Sequence, residues 1–287
     1  MADLPAFQRF LAIDWSGAKG ATSKGIQLAI SQTGSDCPKL LQPETGRFWS
    51  RQAVVDLVAG LADDKVPTLV GFDFAFAYGF EDQGSYFPGL QGSPDTAKAL
   101  WEMIERLNAD EPHLYGGAAY REPSPIAHHY WTGGSRPRDF RERPRGTELA
   151  AASVAKPHSA FKTFCASNVG TGSLAGMRAL HRLKEKAAIW PFDPPGSLTL
   201  AEIYPRFLIR NANINPNRIF EDPERIDQVL HFYGSDPYAG PPIDSEDKAD
   251  ALLSSAGLRA LGNQPQLWSA AGDPGEAQKE GWIFGVV

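Results

Sequence analysis

The sequence predicts an α/β fold built on a mixed sheet, and three observations predict it. Short apolar runs that read as buried strands alternate with stretches of helical periodicity. The first three strand candidates follow one another closely, as in an antiparallel meander, whereas the later ones are separated by helices long enough for parallel crossovers. The 287 residues are 42% apolar and 22% charged, the balance of a globular chain that can bury a core.

The first apolar run, residues 10–14, ends in Asp14 and reads as a buried strand. After the turn-rich residues 16–24, Ile26, Leu28 and Ile30 alternate with Gln27, Ala29 and Ser31, which makes a half-buried hairpin partner. Residues 47–49 read as a third, short strand. Ser50 then caps a helix with apolar positions Val54, Leu57, Val58 and Leu61. Residues 68–73 are another buried strand, ending in Asp73. Ser93 as cap and Pro94 in the first turn open a helix with Ala97, Leu100, Trp101, Ile104 and Leu107 on one face. Residues 109–160 show little periodicity and much Gly, Pro and Arg, so they read as an insertion rather than core. Leu174, Met177, Leu180 and Leu183 mark the next helix. Residues 197–204 form a strand closed by Pro205, with Glu202 near its carboxyl end. Asp222 and Pro223 start a helix bearing Ile226, Val229, Leu230 and Tyr233; Ser245 caps a last long helix with Ala249, Leu252, Leu253, Ala256 and Ala260 on its apolar face. Residues 281–287 read as a terminal strand. The expected organisation is one domain over 1–287 with an irregular insertion around 79–165.

Composition narrows the function classes. No apolar run approaches 18 residues, so no membrane span is expected. The N-terminus, with Asp3 and Pro5 before a short apolar stretch, lacks the pattern of a signal peptide. Two cysteines, Cys37 and Cys165, form neither a disulfide framework nor a Cys/His cluster, and a reducing, cytoplasmic location is expected. The net charge of −6 argues against a protein that coats nucleic acid, while leaving room for a local basic site.

Acids stand at or near the carboxyl ends of three expected strands: Asp14, Asp73 and Glu202. That edge of an open α/β sheet is where ligands bind. A carboxylate in a buried strand is costly unless hydrogen-bonded, paired or bound to a cation, and three of them suggest that something positive gathers them. The last helix carries Glu246, Asp247 and Asp250 in its first two turns. Asp250 lies at the border of the apolar stripe, from which it can aim into the crevice; Asp247 and Glu246 also suit the helix macrodipole.

Four segments carry a family likeness: Phe-Leu-Ala-Ile-Asp-Trp-Ser-Gly ending at Gly17, Val-Gly-Phe-Asp-Phe-Ala-Phe around Asp73, Ala-Glu-Ile-Tyr-Pro around Glu202, and Asp-Lys-Ala-Asp-Ala-Leu-Leu from Asp247. Together they resemble an uncharacterised family of predicted nucleases with an RNase H-like fold. The segment of residues 169–176 and the closing Glu-Gly-Trp-Ile from Glu280 resemble it too. The start of the last helix is also similar to Holliday-junction resolvases. The resemblance implies a mixed five-stranded sheet with helices on both faces and a long insertion after the fourth strand. It further implies Mg²⁺ or Mn²⁺ held by Asp14, Asp73 and Asp250, with Asp247 or Glu202 as a further ligand and Asp14 bridging two ions. Hard cations prefer carboxylate oxygens, and such a pair can drive in-line phosphodiester hydrolysis without a protein nucleophile.

Weaker features surround this set. Arg136, Arg138, Arg141, Arg143 and Arg145 fall within ten residues, with Phe140 among them and Trp131 nearby, and could hold a nucleic-acid backbone and stack a base; Asp139 and Glu142 equally suit a solvated loop. His128 and His129 lack partners at metal-ligand spacing and read as a loop pair. His158 and Lys162 could approach the site through the insertion. Residues 17–20 do not match a phosphate loop. The glycines of residues 169–174 suit either anion binding at a helix N-terminus or a tight start to that helix. The expectation is a metal-dependent phosphodiesterase, most simply a nuclease. A phosphotransferase or ATPase of actin-like ancestry, or a non-catalytic nucleic-acid-binding scaffold, are the alternatives. Oligomeric state is not legible.

Overall fold

The computed structural model describes residues 4–138, 140–164, 169–269 and 274–287; Asp3, Asp139 and Cys165, noted in the sequence, lie outside them. Its centre is a six-stranded mixed sheet. Strand β1 (Arg9–Asp14) pairs antiparallel with β2 (Gln27–Gln32), which pairs antiparallel with β3 (Lys39–Leu41). On its other side β1 runs parallel to β4 (Thr68–Phe72), which runs parallel to β6 (Leu198–Glu202), itself parallel to the two-residue β5 (Ala188–Ile189) at the edge. The order is β3-β2-β1-β4-β6-β5. The expected fifth strand is thus joined by a sixth. The third strand is Lys39–Leu41 rather than 47–49, because Trp49 leaves the sheet to pack in the core ahead of the Ser50 cap. Residues 281–287 make only a single bridge, Glu202 to Ile283, in place of a strand.

Strand alternation sends side chains to both faces, and helices cover both. Leu11, Ile13, Val70, Phe72 and Leu200 face α1 (Arg51–Gly60), α2 (Ala97–Leu107) and α4 (Gly170–Leu183). Phe10, Ala12, Leu69 and Ala201 face α5 (Pro205–Asn211), α6 (Pro223–Phe232) and α7 (Glu246–Leu261), with α3 (Gly146–Ala151) and α8 (Pro274–Glu280) flanking that layer. Small residues let α7 lie close: the Ser255 hydroxyl donates to Phe10 O at 3.1 Å, and a Cβ on Gly71 of β4 would meet Leu258 at 2.8 Å. The caps at Ser50, Asp222 and Ser245 are as the sequence predicts. Helix α2 is instead capped by Thr96, while the Ser93 hydroxyl accepts from Phe87 N.

Residues 109–160 are not a peripheral insertion. Leu114, Ala119, Ile126, Tyr130 and Phe140 are buried in the same core as α1, α2 and α4, joined by Tyr78, Phe87 and Phe161. Aromatic packing, which has no helical or strand period, holds this region. Among the described residues, no helix is long and apolar enough to cross a membrane.

Candidate active site

Because β1, β4 and β6 run parallel, their carboxyl ends share one edge of the sheet. Asp14 is the last residue of β1, Asp73 follows β4 by one residue, and Glu202 is the last of β6. Asp247 and Asp250 in the first two turns of α7 reach the same place. All five line one cleft of about 1010 Å³.

The backbone around the acids is fixed by specific bonds. The Asp73 amide donates to Ile13 O at 3.0 Å, which ties the ends of β1 and β4 together. Beyond Asp73, the Ala75 amide donates to the Ser173 hydroxyl of α4 and the Phe76 amide to Glu202 Oε2. Buried Arg51 of α1 donates to the carbonyls of Ser16, Ala18 and Gly20 at 2.9 to 3.1 Å, bracing the turn after Asp14. That turn lies against the start of α4, since a Cβ on Gly17 would sit 2.1 Å from the Thr171 carbonyl carbon. Gly170 and Gly176 allow further close packing, since a Cβ on Gly170 would meet Lys162 O and one on Gly176 the Phe74 ring, whereas a Cβ on Gly172 would meet open space. Trp15 is buried, its ring against Phe72 and Phe74, and its indole N–H has no acceptor among the described residues.

Electrostatics set the acids apart. Burial, then the charges of Asp73, Asp250 and Asp247, hold the Asp14 carboxyl well above the usual carboxylate range. Burial, then Asp250, Glu202 and Asp247, does the same to Asp73. Asp250 is pushed up to about 7 by burial and by Glu246 and Asp247. Asp247 is raised by burial and Glu246. Among the described residues none of these four aspartates is in an ion pair. The donors are all carboxylate oxygens, the kind that hard divalent cations take. As they are placed, no three such groups among the described residues stand close enough to enclose an ion, so binding one requires the side chains to draw together.

Glu202 departs from its expected role. Its two oxygens accept from Arg145 Nη2 at 2.5 Å and Nη1 at 2.8 Å, and Oε2 also accepts from Phe76 N. A carboxylate so engaged braces the strand end, with its charge already met by Arg145 and its Oε2 taken by two donors. Arg145 is correspondingly no phosphate ligand: it is 2% exposed and also bonds Glu148 and the Glu280 carbonyl. Arg143 is likewise spent internally, on Asp82 and on the carbonyls of Gly79, Ser85 and Tyr86. Arg136, Arg138 and Arg141 are exposed and none lines the cleft. Arg136 instead covers the buried Phe140 ring. His129 is half-buried beside His128 and Phe87, and burial pushes it down to about 4, as suits a packed loop pair.

Besides the internally paired Arg145, the basic residues that line the cleft are Lys156, Arg206 and Arg210, together with His158, whose imidazole burial and like charges push down. Of these only His158 stood out in the sequence. Arg206 and Arg210 escape notice when Pro205 is read as the end of a strand. The same proline at the first helical position starts α5, a signal available in the sequence.

No family model, curated protein or solved structure matches this chain.

Proposed function

We propose that this chain has an RNase H-like fold and is a metal-dependent phosphodiesterase acting on nucleic acid, with Mg²⁺ or Mn²⁺ held by Asp14, Asp73 and Asp250 and assisted by Asp247. One observation carries the reading: buried and half-buried carboxylates from three distant segments meet at one sheet edge, raise one another's proton affinity more than the nearby Arg206 offsets, and make no ion pair among the described residues. Such a cluster is unfavourable by itself and becomes favourable around a divalent ion. The meander followed by parallel strands, with acids at the ends of β1 and β4, supports the fold assignment.

When bound, paired divalent ions supply an activated water and charge stabilisation for the leaving oxygen of an in-line displacement. The chain's own residues orient the groups. Bonds from Ser173 to the backbone after Asp73, and from Arg51 to the turn after Asp14, hold those backbones still. The Arg145–Glu202 pair keeps the neighbouring strand end in register without competing for the ions. Two cysteines in 287 residues, too few for a disulfide framework, fit a reducing cytoplasmic setting.

The test is hydrolysis of single- and double-stranded DNA and RNA with Mg²⁺, Mn²⁺ or EDTA, by the natural chain and by Asp14→Asn. Metal-dependent cleavage that Asp14→Asn loses by about a hundredfold or more supports the proposal. Full hydrolysis by Asp14→Asn removes Asp14 from the centre, and stabilisation by ATP without any cleavage points to the phosphotransferase instead.

A further inference from the structure

Positive charge gathers in the same cleft. Lys156, Arg206 and Arg210 line it beside His158, and none of the three forms an ion pair among the described residues. Arg206 bonds the neutral Asn217 side chain at 2.5 Å, which fixes its guanidinium without neutralising it. Arg206 and Arg210 are four residues apart on α5, so they lie on one helical face. The Tyr204 hydroxyl, at the start of α5, donates to Lys156 O at 3.3 Å and so ties the loop of Lys156 and His158 to that helix. Lys156, Lys162 and Arg206 all act on His158 as like charges, which marks them as one neighbourhood; Glu142, the acid beside His158, makes no ion pair with it. Arg206 is near enough to Asp250 to offset part of its raised proton affinity, but Lys156 and Arg210 have no ion pair among the described residues, and in a chain of net charge −6 such cations at one place call for an anionic ligand.

We propose that Lys156, Arg206 and Arg210 are a strand-gripping clamp that holds phosphates flanking the scissile one, so that the substrate is a nucleic-acid polymer rather than a small phosphoester. The inference rests on the phosphodiesterase reading. A phosphodiester carries a single negative charge, and at the acidic cluster that charge is met by the divalent ions. Three further cations exceed what one phosphodiester requires and match a chain of them. Arg206, with its planar guanidinium braced by Asn217, is the positional member; Lys156 and Arg210 are exposed and supply charge.

The experiment is anisotropy of a fluorescein-labelled single-stranded oligonucleotide, in DNA and RNA forms, titrated with the full chain over a salt series with Ca²⁺ in place of Mg²⁺. Lys156→Glu and Arg210→Glu are the main variants, since among the described residues neither side chain makes a hydrogen bond or ion pair and both variants should keep the melting temperature. Expected are a loss of affinity of about tenfold or more in the double variant and a shallower dependence of log K on log salt, by roughly 0.7 per lost contact. Arg206→Lys should weaken binding less than Arg206→Ala. Unchanged affinity and slope overturn the clamp, as does displacement of the oligonucleotide by ATP with the same sensitivity to both variants. Two controls separate this from the phosphodiesterase reading: the Mn²⁺-induced rise in melting temperature, and hydrolysis of bis-p-nitrophenyl phosphate. If both persist while charge reversal leaves oligonucleotide binding intact, only the clamp falls. If charge reversal abolishes binding and neither control responds in the natural chain, the clamp stands as a binding surface and the hydrolase reading falls.

Discussion

Asp250→Asn should make the metal-free protein more stable and the metal-loaded protein less so. Folding moves the Asp250 carboxyl from an ordinary 3.8 to about 7. At about 1.4 kcal/mol per unit, that is on the order of 4 kcal/mol against the folded state once the group is ionised. The cleft is open to water, so solvent screening reduces this to about 1–2 kcal/mol. The sign follows from proton counting. Between the two pKa values the folded chain binds more protons than the unfolded one, so stability present at low pH is lost as pH rises toward 7 and stays lost above it. Asparagine cannot ionise, and its removal of charge also eases Asp14 and Asp73, both of which Asp250 pushes up. At pH 8 in EDTA the variant should therefore melt roughly 3–6 °C above the natural chain, with the gap closing toward pH 4. Saturating Mn²⁺, at about a hundred times its Kd, should add about 2.7 kcal/mol to the natural chain and little to the variant, reversing the order. Differential scanning calorimetry at several pH values, with and without Mn²⁺, reads all of this. A variant no more stable at pH 8 in EDTA, together with a natural chain indifferent to Mn²⁺, would show that the aspartates neither strain one another nor share an ion.

Two further expectations concern the frame of the site. Arg145→Met strands Glu202 and Glu148 in the interior without their counter-charge and should cost about 3–5 kcal/mol in urea denaturation; a loss below about 1 kcal/mol would mean that the pair is not holding the strand end. Gly17→Ala places a methyl where the Thr171 backbone already is, so it should cost about 1–3 kcal/mol and weaken Mn²⁺ binding through the displaced turn after Asp14; unchanged calorimetric Kd and stability would show that turn and helix part freely.

Where periodicity was strong, elements could be read directly. Strands β1, β2, β4 and β6 and helices α1, α4, α6 and α7 stand where the apolar spacing puts them, because alternation and the 3.6-residue repeat are imposed by burial on one face. Asp14, Asp73 and Asp250 were visible for the same reason, as charges set into or beside apolar patterns that have no use for them. The third strand, the aromatic region between β4 and α4, and α5 were not legible. The first is three residues long and the second has no period; the third begins with a proline that equally well ends a strand.

Chain order alone determined a mixed sheet and the acids that end its strands. Tertiary structure decided which of those acids stay available. Glu202 ends β6 opposite Phe72, and Asp73 lies one residue further along the adjacent parallel strand, yet Arg145 arrives from 57 residues upstream to neutralise the first, while among the described residues no ion pair reaches the second. Local sequence cannot report a counter-charge delivered from so far away. Long-range pairing is what separates a carboxylate neutralised by the fold from one left without a counter-charge.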